Sequence, residues 1–423
     1  MAELDRVDIA IVADANLVDS GKAAREVFDF SEELKAKQQQ PQRNMEAGGG
    51  NGARSPGPGM RTEIFGVEAK VRFDRALEAE TGFVERLVWF WSNHFCVSAE
   101  KVRAFAGAFE REAIRPHVLG RFADMLLAVE THPAMLVYLD NVRSTGPDSI
   151  VGQERHIGFN ENLAREIMEL HTLGVRTGYS QADVSSFAKV ITGWTIFPPR
   201  DRQHGGEFRF NPRMHEPGPQ TVTGRTYAGA GVDQGTDVLR DLAHNPETAT
   251  HIATKFARHF VADEPPPAVV EALKTSFRNT DGDLKELART LLSSAEAWEA
   301  PRSKLKRPGE WLVAAARATG VAAASDVWPM LHAQESLGEP LWQPPAPNGF
   351  DDVKGAWLDG VGQRVDIANQ IAQLITAPID PDELVESALG PLASAETREA
   401  VARAETRPHA AVLLLMSSEF QRR

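Results

Sequence analysis

The chain has a single cysteine, Cys96, among 423 residues. That excludes an intramolecular disulfide and a cysteine-based metal cluster. No stretch of about 18 apolar residues occurs, so nothing reads as a membrane span. The opening MAELDRVDIAIVADANLVDSG has no basic segment followed by an apolar one, so it does not read as a signal peptide. Positive charge is short too. Lys and Arg number 46 against 59 Asp and Glu, a net charge of −13, which argues against general affinity for nucleic acid or anionic membrane. There is no Gly-x-Ser-x-Gly elbow and no Walker loop. The Gly-rich residues 48–52 lack the Lys-Ser/Thr pair and the strand-to-helix context of a phosphate loop. Cys96 follows the apolar Trp89–Phe95 run and is expected as a buried, inert thiol.

What is present is a long chain of ordinary globular make-up, 42% hydrophobic and 25% charged. It can bury a large core, in two domains or in one large helical one. The periodicity is mostly helical, so the fold class expected is mainly α. Residues 1–37 read as an N-terminal helical segment with Ala23, Val27, Phe28 and Leu34 as anchors. Residues 38–60, rich in Gln, Gly and Pro, read as a flexible linker. Residues 61–423 read as a single large helical domain. Within it, helices are expected over Arg61–Trp91, Ala99–Gly120 and Arg121–Leu139, with a break near Pro133. Ser180 caps another helix, with Asp183 in its first turn. Residues of about 196–235, rich in Gly, Pro, Thr and Phe, read as one small irregular or β-hairpin insertion.

Phe159–Gly174 is the densest stretch of chemistry. Asn160 suits a helix N-cap and Gly174 a C-terminal stop. At about 100° per residue, Glu161, Asn162, Arg165, Glu166 and Glu169 share one arc, and Leu163, Ala164, Ile167 and Leu170 the other. His171 falls in the apolar arc, roughly 140° from Glu166. In one reading the arc is a solvated face, with Glu161–Arg165 and Arg165–Glu169 as i,i+4 pairs and His171 a core histidine bonded to a backbone carbonyl. In the other the arc lines a cleft, and Asn162, Arg165, Glu166, Glu169 and His171 are the candidate catalytic residues. Metal-ligand spacing is absent, because neither His-Glu-x-x-His nor Glu-x-x-His occurs here.

Other segments add candidates. Asn93-His94 closes the apolar run from Leu87, and buried polar groups there need partners. His215-Glu216 lies in the loop-like middle, where function often sits. His251, Lys255 and His259 share a helix face at i, i+4, i+8 and read as a basic end that complements the helix dipole. Trp194, Trp342 and Pro344-Pro345 read as core packing or as the floor of an apolar pocket.

The stretch NENLAREIMELHTLGV resembles the signature of a large bacterial family, domain-of-unknown-function family 1800. Glu85–Phe95 resembles the pattern around that family's "FWxNHF" element. Thr192–Thr195, Met214–Gly218, Ala257–Val261 and Leu341–Pro345 follow in the family's order, over roughly residues 70 to 360. The resemblance brings no established activity. It implies a functional His at position 215 followed by an acid, although Gln220 stands where the family's "HDxGxKT" has Lys. Family members generally begin with further helical sequence and many look exported. The chain as written is therefore expected to be cytoplasmic, and a longer N-terminus would predict export.

Two expectations of different class follow. The first is an enzyme with a His/Glu/Asn cleft site, working by unassisted acid–base chemistry or as a metal-dependent hydrolase. His94, His171, His215 and Glu166 are then the candidate ligands for Zn, Mn or Fe. The second is a non-catalytic binding or assembly protein. The resemblance implies a phosphatase/sulfatase-like partner, whose genes often neighbour those of the family. Whether the protein is an enzyme is left open by its residues alone.

Overall fold

The structure, a computed structural model, describes every residue except 7, 40–58, 230, 322–325 and 376–379, with residues 37–39 described by backbone alone. The described residues are 61% helical, with 22 α-helices and two small two-stranded antiparallel sheets. The fold is mainly α, as the periodicity predicts. The helix Ser20–Gln39 takes in the first residues of the predicted linker, and Met60 opens the next helix. Most of that linker lies outside the described residues.

Local chemistry divides the helices. Gly82, at φ +74°, separates Met60–Glu78 from Phe83–His94, a backbone conformation that costs glycine little. Pro133 begins a helix at Pro133–Tyr138 rather than interrupting one, and the His132 ring accepts the Ala134 N–H as its cap. The Ser180 side chain and Asp183 form a reciprocal capping box at the start of Gln181–Val190. The predicted Ala99–Gly120 helix is in fact a series of short pieces. Ala99–Val102 and Ala106–Phe109 are followed by a π turn at Glu110–Ile114 and a 3-10 turn at Arg115–His117.

The insertion holds two hairpins. Trp194–Ile196 pairs with Phe208–Phe210, and Gln220–Val222 with Arg225–Tyr227. The second turns through Thr223 and Gly224, both at positive φ, as a two-residue hairpin turn of the right twist requires.

One hydrophobic core runs from Leu4 to Trp342, with the Phe83–His94 helix inside it: Val84, Leu87, Val88 and Trp91 are each 1% exposed or less. A second cluster joins Trp311, Leu312 and Ala315 to the C-terminal helices through Leu414, Leu415 and Phe420, and Met330 packs against both. Charge is buried in the first core as a network. Arg115 meets both oxygens of Glu85 at 2.9 Å, and Glu110 accepts from Arg72 at 2.8 Å, Trp342 at 3.1 Å and Arg115 at 3.2 Å. Burial alone would raise the Glu110 carboxyl, but the two guanidinium groups outweigh it and hold it low.

Candidate functional site

The Asn162–Glu166 helix does not continue to His171 as an α-helix. It passes into a π turn at Ile167–His171. At its end the Thr172 hydroxyl donates to Ile167 O at 2.7 Å, a side-chain bond added to the backbone turn. Turns closed by i→i+5 bonds are rare and recur at functional sites. They stack residues five apart, and Glu166 and His171 are five apart. The separation of roughly 140° expected for an α-helix therefore does not apply. Burial raises the Glu166 carboxyl, and a proton gained by His171 would act in the opposite direction.

His171 is 1% exposed. Its Nδ1 lies 2.7 Å from Glu130 Oε1, and Glu130 is wholly buried on the neighbouring Phe122–Thr131 helix. A carboxylate at Nδ1 holds the ring proton there and leaves Nε2 as the bare nitrogen. Among the described residues Nε2 has no hydrogen-bond partner, and it is not among the ring nitrogens sealed from solvent.

Two further imidazoles close the site. His94 Nε2 donates to the His171 carbonyl at 3.2 Å, and His251 Nε2 donates to the Leu170 carbonyl at 3.0 Å. A carbonyl only accepts, so both rings carry their proton on Nε2. The ring centres of His171 and His251 lie 6.2 and 6.1 Å from that of His94. Burial, with Lys255 close by, pushes His251 down to about 4 and His94 well below its ordinary value, so both are neutral at pH 7. His94 Nδ1 is sealed and has no partner among the described residues.

Lys255, one turn beyond His251, has no hydrogen bond or ion pair among the described residues, and burial lowers it to about 8. Glu166 likewise has no partner there, and burial raises it. Cys96 is near both: burial pushes its thiol up to about 12, while the Lys255 charge opposes and the Glu166 charge adds to that shift. Its Sγ donates to Pro347 O at 3.1 Å. The inert-thiol expectation fits this setting.

The other candidates divide. Asn162 is exposed, and its backbone N–H donates to Asn160 Oδ1 at 2.9 Å. Asn160 thus serves the helix start, although Glu161 holds the cap position. Arg165 pairs with Glu161 at 2.9 Å and Glu169 at 3.7 Å on a part-exposed face, as the solvated reading has it. Asn93 clamps Phe350 by two backbone hydrogen bonds, of 2.9 and 3.0 Å. His215 bonds Thr192 O at 3.0 Å and packs on Phe210. Glu216 receives the Asp148 N–H and meets Lys189 at 3.5 Å. His215 and Glu216 therefore tie the first hairpin to the loop before Ile150–Arg155, and none of their hydrogen bonds reaches His94 or His171. Among the described residues no group of three or more His, Cys, Asp or Glu is placed to hold a metal ion.

Sequence reasoning missed Glu130. The available signal was one acid at the i+4 position from Leu126, in an otherwise apolar helix face. His251 and Lys255 were visible, but as a basic helix end rather than as half-buried groups facing the site.

The profile of the family described as Protein of unknown function (DUF1800) matches residues 3–422. No curated protein and no solved structure matches the chain.

Proposed function

The chain belongs to the DUF1800 family, and from that premise we propose that it is an enzyme working by general acid–base catalysis at His171. The observation that carries this reading is the Glu130–His171 pair. A sealed carboxylate fixes the proton on Nδ1, and Nε2 is left bare without a partner. This is the arrangement of an imidazole that takes a proton and is then stabilised as a cation. Glu166, half-buried and without a partner among the described residues, suits a second proton carrier. Lys255 supplies a cation near 8, within range of neutral pH. An ammonium without a carboxylate partner is costly to bury, and such a cost is commonly tolerated where function needs the group. The reaction class that best suits a bare imidazole with a carboxylate behind it is hydrolysis, with His171 removing a proton from water. A divalent ion is not needed for that step.

The test uses protein labelled with 15N at histidine. Long-range 1H–15N correlation is expected to show His171 protonated at Nδ1 and bare at Nε2. A proton on Nε2 would remove the base. In parallel, chromogenic carboxylate, phosphate and sulfate esters are assayed with wild type and Glu130→Gln. A fall in kcat of about 10³–10⁴ with KM retained is expected for a positioning carboxylate. Turnover that survives Glu130→Gln and His171→Gln unchanged removes His171 as the base, and no turnover of any ester by wild type returns the protein to the non-catalytic binding reading.

A further inference from the structure

A cleft of about 480 Å³ opens at the opposite end of the Phe83–His94 helix, between that helix, Pro308–Thr319 and the C-terminal residues. Its wall carries Arg86, Lys306, Arg317 and Arg423 against two carboxylates, Glu85 and Glu310. Both acids are already engaged. Glu85 gives each oxygen to Arg115. Glu310 takes Arg423 on one oxygen and the Arg307 N–H on the other.

Among the described residues the remaining cations have no carboxylate within hydrogen-bond distance. The Arg317 guanidinium donates only to the carbonyls of Ala76, Ala79 and Glu80. Lys306 Nζ donates only to the carbonyls of Phe420 and Arg422. The Arg86 guanidinium makes no hydrogen bond among the described residues. It lies over the Phe260 ring, and its closest acid is Glu310 at 3.8 Å. Its side chain is 38% accessible, so it is open to a ligand. Among the described residues the buried N–H groups of two lining residues, Trp89 Nε1 and Arg423 Nε, also have no acceptor. This wall has more donors and more positive charge than its own acceptors satisfy, on a protein whose net charge is −13. Guanidinium groups in such a setting match oxyanions. Val313, Ala314 and Ala318 add an apolar strip along one side.

We propose that this cleft binds a small organic anion of two or more negative charges, held by Arg86, Lys306 and Arg317 with its hydrocarbon part on the Val313–Ala318 strip. The site shares no lining residue with the His171 centre, and the proposal stands or falls independently of the acid–base reading.

The experiment is isothermal titration calorimetry of the full chain, at low ionic strength, with pyrophosphate and separately with citrate. One-site binding of at least one probe is expected. Arg86→Met is expected to weaken it about tenfold or more. Arg213→Met, which removes a surface partner of Glu154, is expected to leave it unchanged. Arg86→Met is the decisive variant because no hydrogen bond of the fold depends on that guanidinium, and an unchanged thermal midpoint verifies its folding. Lys306→Gln serves as the second variant and should weaken binding in the same direction. Preference for pyrophosphate assigns a phosphate ligand, and preference for citrate a polycarboxylate. The proposal is overturned if neither probe binds at about millimolar concentration, or if Arg86→Met binds as wild type does.

Discussion

Replacing Asn93 by alanine should release the segment that ends at Phe350. Asn93 Oδ1 accepts the Phe350 N–H at 2.9 Å, its Nδ2 donates to Phe350 O at 3.0 Å, and Arg307 reaches the same Oδ1 at 3.4 Å. The side chain therefore imitates a strand partner for one residue. Each of the two short bonds contributes about 1 kcal/mol net, and a backbone group left without a partner costs about 1–3 kcal/mol where it stays buried. Asn93 and Phe350 are half-buried, so water restores part of the loss and the total falls at about 2–3 kcal/mol. The segment cannot close the gap itself. Gly349 already presses on this helix end, where an added Cβ would sit 2.4 Å from Asn93 O. Hydrogen exchange read by mass spectrometry is the assay. The Phe350 amide should lose protection by a factor of about 30–160, the Boltzmann equivalent of that energy, and the urea midpoint should fall at constant slope. Asn93→Asp, which keeps an acceptor for Phe350 N–H and Arg307, should recover part of the protection. Unchanged exchange at Phe350 in Asn93→Ala would refute the clamp and return Asn93 to the list of groups free for chemistry.

Four other outcomes are expected. Glu110→Gln should cost about 3 kcal/mol or more by urea unfolding, because it strips the charge that Arg72 and Arg115 share; a loss below about 1 kcal/mol would show the network to be dispensable. Lys255→Met should raise the urea midpoint at pH 7, since it removes a cation that burial penalises; a lower midpoint would mean that the ammonium has a partner. His251 is held down to about 4 in the folded protein, so between about 6.5 and 4 the unfolded chain binds the proton and the folded one does not. Stability at this residue is thus present above about 6.5 and lost as pH falls toward 4, and His251→Gln, which keeps a donor for Leu170 O, should flatten the midpoint against pH over that window. Cys96, pushed up to about 12 and buried, should react with an aromatic disulfide reagent only on unfolding; rapid reaction of the native protein would contradict that burial.

The legible parts of this protein are those set within a few residues. Ser180 and Asp183 announce a helix start because their bonds close over three residues. Pro133 marks a boundary because its ring forbids a donor there. The Glu161–Arg165–Glu169 ladder was readable as a solvated face from i,i+4 spacing alone. The π turn was not readable, because the helical wheel assumes one fixed angle per residue. A single wider turn at Ile167–His171 changes the angle between Glu166 and His171, while His171 stays buried against Phe95 as its place in the apolar arc implies. His215 was grouped with His94 and His171 because all three lie in segments that resemble the same family. The fold gives it a different set of partners.

The amino-acid sequence by itself determined the helical class, some helix ends such as those at Ser180 and Pro133, the hairpin-bearing insertion, the lack of a disulfide and the neighbourhood of the candidate site. These follow from periodicity, caps, turn residues and composition, which act over three to five positions or over the whole chain at once. Only the tertiary structure decided which polar groups meet. Glu130 is 41 residues from His171, and His94 is 77. No local preference selects such partners. They are chosen when buried polar groups must find one another as the apolar faces around them close.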